Sequence, residues 1–338
     1  MLFSAKIKKV IALYSLCLAV FFIGHFANAA QESEGHDILL AIVTVSGSAQ
    51  DIVATRFKDL LEERSDSRFR VEISREGVLG SETEILELVR MNAVQMAIIT
   101  TEPIEAFVPE AALVGFPFMF RDHQQADEIL DGPLGREILD SLKKAGFKGI
   151  HFSENGFRHL TNNVRPVHDV DDVQGMVIRV METPLHRELW TILGAHPSPL
   201  PWPIDDALMS GRVDGQENPL WVPSVYKFHR FQKYLSLTGH VYSSHVDLAN
   251  LTWFNSLSQE DQELITMCMR DAAVYQRAYN RSNEARYLKG LKEHGMVVND
   301  SPDIESFRNR ALKLKDLPIY STGRVRDLLV RMLEATEH

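Results

Sequence analysis

Cysteine is scarce: the 338 residues contain two, Cys17 and Cys268. Cys17 lies inside an apolar leader, so the secreted chain keeps one thiol and can close no intramolecular disulfide. A lone cysteine cannot anchor a zinc site, and the thirteen histidines are scattered, with His240 and His245 lacking a further ligand at useful spacing. No Gly-x-Ser-x-Gly elbow, Walker loop or dinucleotide fingerprint occurs. No catalytic residue, metal or cofactor is therefore expected. Positive charge is also in deficit, 36 Lys and Arg against 46 Asp and Glu, for a formal net charge of −10. That balance argues against nucleic acid and anionic lipid as partners, while leaving room for a small anion at a local cationic pocket.

What is present begins with a leader. Lys6, Lys8 and Lys9 precede an apolar run over residues 10–26, and Ala27-Asn-Ala29 offers small residues at the two positions a signal peptidase reads. The run is short for a membrane span, and Leu16 before Cys17 is not the small residue a lipoprotein leader requires. Residues 1–29 read as a secretory signal peptide, cleaved near Ala29 to deliver the protein to the periplasm. Removing 29 of 338 residues leaves 309, and the loss of three lysines takes the formal charge from −10 to −13. A chain of that length can bury a large core and is expected to divide into two lobes.

Residues 38–45 form a β-rich apolar run, residues 51–64 place Ile52, Phe57, Leu60 and Leu61 on one side of a helix, and residues 69–73 alternate as a strand. Ser81 with Glu84 makes a capping box opening a helix through Met91, and residues 94–100 are the next apolar strand. This β-α-β order predicts a mainly parallel sheet with ligands at the carboxyl ends of strands, where Thr100, Thr101 and Glu82 border a crevice. A helix is expected over residues 124–144, strands over 147–155, 175–181, 234–240 and 246–254, and helices over 204–210, 301–317 and 322–336. Alternating Pro197, Pro199, Pro201 and Pro203 forbid a helix or an interior strand and hold Trp202 in a stiff extended segment. From the cap at Ser258 the chain runs without Gly or Pro to Lys289. Such a helix of about thirty residues is roughly 45 Å long, enough to brace both lobes. Leu264, Cys268, Ala272, Tyr275 and Tyr279 follow its three-and-four spacing.

Three features are candidate site residues. Within residues 209–219, Gly211, Gly215 and an Asn218 held before Pro219 read as a helix end feeding a shaped loop with a directed amide; an ordinary surface turn is the alternative. Arg179 projects from the apolar segment 175–181 on one face with Val177 and Met181, where its charge needs either a protein carboxylate or a bound anion. Arg158 follows the turn-permitting Gly156, and a surface arginine accounts for it equally well.

Together, Asn155-Gly-Phe-Arg158, Arg179 within residues 175–180 and Asp214-Gly-Gln-Glu-Asn-Pro219 resemble the signature of the periplasmic solute-binding proteins of TRAP (tripartite ATP-independent periplasmic) transporters, of the DctP type. Gly77-Val-Leu-Gly-Ser-Glu82, Phe116-Pro-Phe118 and Lys233-Tyr-Leu-Ser-Leu-Thr-Gly-His240 match in the same order. The resemblance implies an α/β fold of two lobes with hinge strands. Lobe I would cover residues 30–154 with part of 245–257, lobe II residues 155–244, a long helix spanning both residues 258–294, and a C-terminal strand and helices residues 295–338. It further implies closure over a small organic-acid anion, either a sugar acid such as a uronate or aldonate or a C4-type dicarboxylate, which is passed to the membrane permease subunits. By the same resemblance Arg179 grips the ligand carboxylate bidentately, Arg158 and Asn218 support it, Glu82 and Thr100 meet the ligand's other end, Trp202 covers it, and Pro117 with Phe118 forms wall.

The chain departs from that pattern in three places. Pro203-Ile-Asp205 stands where the family has Glu-x-Tyr and is one residue shorter, Asn92 replaces a small residue, and Val43 takes a position that is polar in sialic-acid binders, which argues against sialic acid. The binding subunit of an ATP-driven importer would share the architecture without these motifs. A secreted hydrolase would need a nucleophile or metal constellation that the sequence does not display.

Overall fold

The computed structural model describes residues 36–337, so the expected leader lies outside the described residues. Strands β1 (His36–Ala41), β2 (Phe69–Ser74) and β3 (Met96–Thr100) run parallel in the order β2-β1-β3. Their crossovers contain the helices Ala49–Arg64 and Glu82–Arg90, each started by a serine: Ser48 accepts from the Asp51 amide, and Ser81 with Glu84 closes the expected capping box. The cap sets where the second helix begins, which puts Glu82 on its first residue and within reach of Thr100 at the end of β3.

On the other flank, β5 (Val177–Val180) lies between β6 (His196–Pro199) and β7 (Gly215–Pro219), again parallel. The flanks are joined by two long antiparallel strands, β4 (Phe147–Asn162) and β8 (Tyr234–Asn250). The sheet order is β2-β1-β3-β8-β4-β7-β5-β6, with β9 (Val297–Asn299) on β8. The sheet is thus parallel within each flank and at the β8–β9 pair, while the central pairings are antiparallel, so the predicted mainly parallel arrangement does not extend across the centre. β6 admits Pro197 and Pro199 because it is an edge strand.

Several expected boundaries move. β4 does not stop at Asn155. It passes a register shift between Glu154 and Gly156, where Gly156 takes φ +121°, and continues to Asn162, carrying Arg158 into the sheet. The two strands expected over 234–240 and 246–254 are one strand to Asn250, after which Asn250 caps the helix Leu251–Ser256. Residues 215–219, read as a loop, are a strand buried at every position. Gly215 is required there because a Cβ would come within 2.2 Å of the Thr161 carbonyl oxygen. The helix expected over 124–144 is interrupted between His123–Leu130 and Pro133–Ser141, since Pro133 fits only a first helical turn. The helix expected over 301–317 is Ile304–Ala311 followed by a 3-10 turn.

The long helix spans Gln259–Glu293, 35 residues, or about 52 Å. Its first half packs Ile265, Cys268, Met269 and Ala272 against the helix Ala49–Arg64 through Phe57 and Leu61, and its last half sets Tyr287 and Leu291 among Leu220, Trp221 and Phe228. Tyr275, at the expected spacing, is exposed instead. Between the halves the buried face turns polar. Gln276 bonds both the amide (2.9 Å) and the carbonyl (2.8 Å) of Glu154, Asn280 donates to the same carbonyl (3.2 Å), and Arg277 donates to the Phe152 carbonyl (2.7 Å). These bonds pin β4 beside its irregularity at Gly156.

Candidate functional site

Between the flanks lies a cleft. Thr44, Gln50, Glu82 and Thr100 line it from the β1–β3 side, and Arg158, Arg179, Trp202 and Asn218 face them. Arg179 sits on β5 with only 4% of its surface exposed. Its Nε (2.9 Å) and Nη2 (2.5 Å) both donate to the Leu200 carbonyl, which the proline-stiffened segment brings alongside. Among the described residues no carboxylate oxygen lies within 4.0 Å of this guanidinium. Burial pulls its pKa down to about 10 against the opposing pull of Glu217, so it remains cationic at neutral pH. A buried guanidinium held by one carbonyl has donors to spare for an anion entering the cleft.

Arg158 is buried, so the surface-arginine reading fails. It is bidentate to Glu217, Nε to Oε2 at 2.5 Å and Nη2 to Oε1 at 2.8 Å, and Nη2 also reaches the Glu217 carbonyl at 2.6 Å. The same carboxylate meets His186 Nδ1 at 3.1 Å and His240 Nε2 at 3.2 Å, while His186 Nε2 faces Glu102 at 3.6 Å. Burial alone would raise the Glu217 carboxyl, but Arg158 and His186 overcome it and hold it well below the usual carboxylate range. Burial would likewise lower His186, yet the charge of Glu217, the hydrogen bond to it and the neighbouring Glu102 carboxylate push it up to about 9. Arg158 with Glu217, and protonated His186 with Glu102, therefore cancel within one network. Arg179 is the charge left over. Asn218 is held by its own chain of amides, donating to Gln216 Oε1 at 2.6 Å while Gln216 donates to Thr161 at 2.9 Å.

On the opposite wall, Glu82 Oε1 accepts from Gln50 Nε2 (3.1 Å) and the Thr100 amide (2.9 Å), and its Oε2 accepts from the Thr100 hydroxyl. Burial raises the Glu82 carboxyl, only partly offset by those bonds. Gln50 in turn accepts from Thr44 at 2.9 Å, giving a continuous polar surface. Trp202 stands edge-on to Tyr226 with ring centroids 4.7 Å apart, and Trp221 donates to the Asn155 carbonyl at 3.0 Å, so two fixed indoles border the cleft.

Six of the seven residues expected at the site are thus brought together: Arg179, Arg158, Asn218, Glu82, Thr100 and Trp202. Phe118 is not. It lies in a separate hollow with Arg308 and Leu333, its amide bonded to the His240 carbonyl at 3.0 Å and its ring beneath the Arg308 guanidinium, so it cannot wall the cleft. Sequence reasoning missed Gln50, Glu102, His186, Glu217, Trp221 and His245. Of these only Glu217 carried a signal, a charge beside Asn218 in a segment now seen to be wholly buried. Among the described residues no group of three or more His, Cys, Asp or Glu is placed to hold a metal.

Two α/β flanks joined by a long strand pair, with an uncompensated buried cation in the cleft between them, define a two-lobed solute-binding protein. Residues 40–316 match the model of the bacterial extracellular solute-binding proteins, family 7 (DctP), and the chain belongs to that family, as its motifs led us to expect. It is similar to a solute-binding protein of Verminephrobacter eiseniae, 36% identical over 267 residues that cover 79% of this chain and 80% of that one. It is also similar to the 2,3-diketo-L-gulonate-binding periplasmic protein YiaO of Escherichia coli, 30% identical over 313 residues, 90% of this chain and 95% of that one. Among solved structures, a TRAP periplasmic solute-binding protein from a Polaromonas species bound to D-erythronate matches with a TM-score of 0.84 at 32% identity, covering 88% of this chain and 98% of the other.

Proposed function

We propose that the protein captures a small organic-acid anion of the sugar-acid type in the periplasm by closing two lobes on it, and delivers it to the membrane permease subunits of a TRAP transporter. The lobes are residues 30–154 with part of 245–257, and residues 155–244, bridged by the helix over 258–294. Secretion depends on the leader over residues 1–29. The observation that carries this reading is Arg179, a buried cation facing the cleft with no carboxylate of its own. An incoming carboxylate completes it bidentately, with Arg158 and Asn218 holding the wall around it and Trp202 beside the bound molecule. Thr100 and Glu82 meet the ligand's other end. The names of the similar proteins, one binding 2,3-diketo-L-gulonate and one holding D-erythronate, support a hydroxylated carboxylate as the ligand class.

Micromolar capture corresponds to about −8 kcal/mol, which a few charge-assisted hydrogen bonds and exclusion of water can supply. Titration calorimetry with D-erythronate and D-galactonate tests the assignment. Arg179→Ala is expected to weaken binding by at least ~100-fold, since a ligand carboxylate buried without its partner loses roughly 3–5 kcal/mol. Arg179→Lys should recover little, because a point charge cannot form the paired contact. Near-unchanged affinity in Arg179→Ala would sink the assignment.

A further inference from the structure

We infer that His245 is a hydroxyl-reading residue in the cleft and that, with Glu82, it selects a monocarboxylic acid bearing hydroxyls over a dicarboxylate. The inference rests on the carboxylate-binding reading of Arg179 and extends it to the rest of the ligand.

His245 lies on β8 opposite Thr100 of β3 on one side and Ser153 of β4 on the other, which sets it at the junction of the two flanks. It lines the cleft and is 1% exposed. Its Nδ1 is buried without a hydrogen-bond partner among the described residues. The polar side chains buried beside Glu82 on this wall are bonded: Thr44 to Gln50, Gln50 to Glu82, and Thr100 to Glu82. A buried imidazole nitrogen left unpaired in a ligand cleft is costly unless the ligand supplies the partner. Burial holds the ring down to about 3, with Glu102 opposing and Arg158 assisting, so it is neutral throughout the pH range of the periplasm. A neutral imidazole offers one donor and one acceptor, which is what a hydroxyl group needs and not what a second carboxylate needs.

The charge pattern points the same way. Among the described residues Arg158 and Arg179 are the only Lys or Arg side chains lining the cleft, and Arg158 is already matched by Glu217. A ligand carboxylate at Arg179 uses the remaining positive charge, so a second one would meet Glu82 with no cation beside it. Hydroxyl groups on the ligand's middle and far end can instead bond His245, Gln50 and Glu82.

The test is titration of the wild type, His245→Phe and His245→Asn with D-erythronate, butanoate and succinate, with the unfolding midpoint of each variant measured alongside. The wild type should prefer D-erythronate to both other acids. His245→Phe, which keeps the ring volume and removes both nitrogens, should weaken D-erythronate by about tenfold and leave butanoate unchanged, and His245→Asn should restore most of the loss. Undiminished D-erythronate binding in a folded His245→Phe overturns the role of His245. Should that variant fail to fold, the wild type's ranking decides: preference for succinate overturns the inference and leaves the carboxylate clamp standing. A wild type that binds none of the three acids, nor D-galactonate, removes the clamp and this inference together.

Discussion

Asp247 shows at the scale of one residue how burial becomes a pH response. It lies on β8, accepts from the Ser153 hydroxyl at 2.7 Å, and keeps its second oxygen buried without a partner. Burial raises its pKa from 3.8 to about 8, against the Ser153 bond and the charge of Arg277. In the unfolded chain the carboxyl ionises near 3.8, whereas the folded chain resists until about 8. The stability tied to this group is therefore complete below the lower value and is lost as pH rises through the upper one. Asp247→Asn keeps the shape with no charge to bury. It should raise the unfolding midpoint at pH near 8 and change it little at pH near 4, as scanning calorimetry across that range can establish; equal shifts at both ends would refute the assignment. Arg179 was legible in the sequence because a lone charge in an apolar strand is conspicuous, and Asn218 because proline fixes its neighbour. His186 was not, and the charge of Glu217 beside Asn218 did not disclose its partners. Glu217 lies 59 residues from Arg158 and 31 from His186, and no local pattern announces a charge network assembled across such distances.

Helix starts with a capping serine were read correctly, the local break at Pro133 was passed over, and the elements defined by distant partners were not foreseen. Ser81 and Ser258 each begin the helix that their sequence context predicts, since a cap depends on the next three residues. The course of β4 through Gly156, and of β7 through a stretch that resembles a turn, depends on strands far away in sequence. The polar middle of the long helix belongs to the same class. Gln276 replaces, for the Glu154 peptide, the two bonds a neighbouring strand would otherwise make. Beside it Asn155 and Trp221 border both the cleft and the hollow behind it, so the pinned peptide is mechanically linked to the ligand site. We predict that Gln276→Leu, which touches no ligand, frees this pivot and weakens D-erythronate binding by roughly three- to tenfold through the open–closed equilibrium, at about 1.4 kcal/mol per factor of ten. Fluorescence transfer between labels on Met91→Cys and Met209→Cys, both positions being exposed and Cys268 buried, would report the accompanying spread in lobe separation. An unaltered distance distribution together with unaltered affinity would dismiss the pivot.

For the whole molecule the architecture divides labour: each flank is a parallel unit, and the two are joined by the strands β4 and β8, by the long helix with its hydrogen bonds at Glu154, and by direct contacts such as that of His186 with Glu102. The two-lobed plan was visible in the sequence through the resemblance of its motifs. The central strand pair and the internally neutralised network beneath the cleft were not, because both are properties of the assembled sheet. That network, with Arg158 cancelled by Glu217 and His186 by Glu102, has a kinetic consequence. The sequence carries a formal charge of −10, or −13 once the expected leader is removed, and the cation that an anion must reach, Arg179, is buried in a cleft. An approaching anion is repelled at long range and attracted only after it has entered. Added salt screens the repulsion, since the Debye length shrinks from about 30 Å at 0.01 M to about 10 Å at 0.1 M. Stopped-flow association of D-erythronate should therefore quicken as ionic strength rises, the reverse of electrostatic steering, while dissociation from the sheltered arginine changes little.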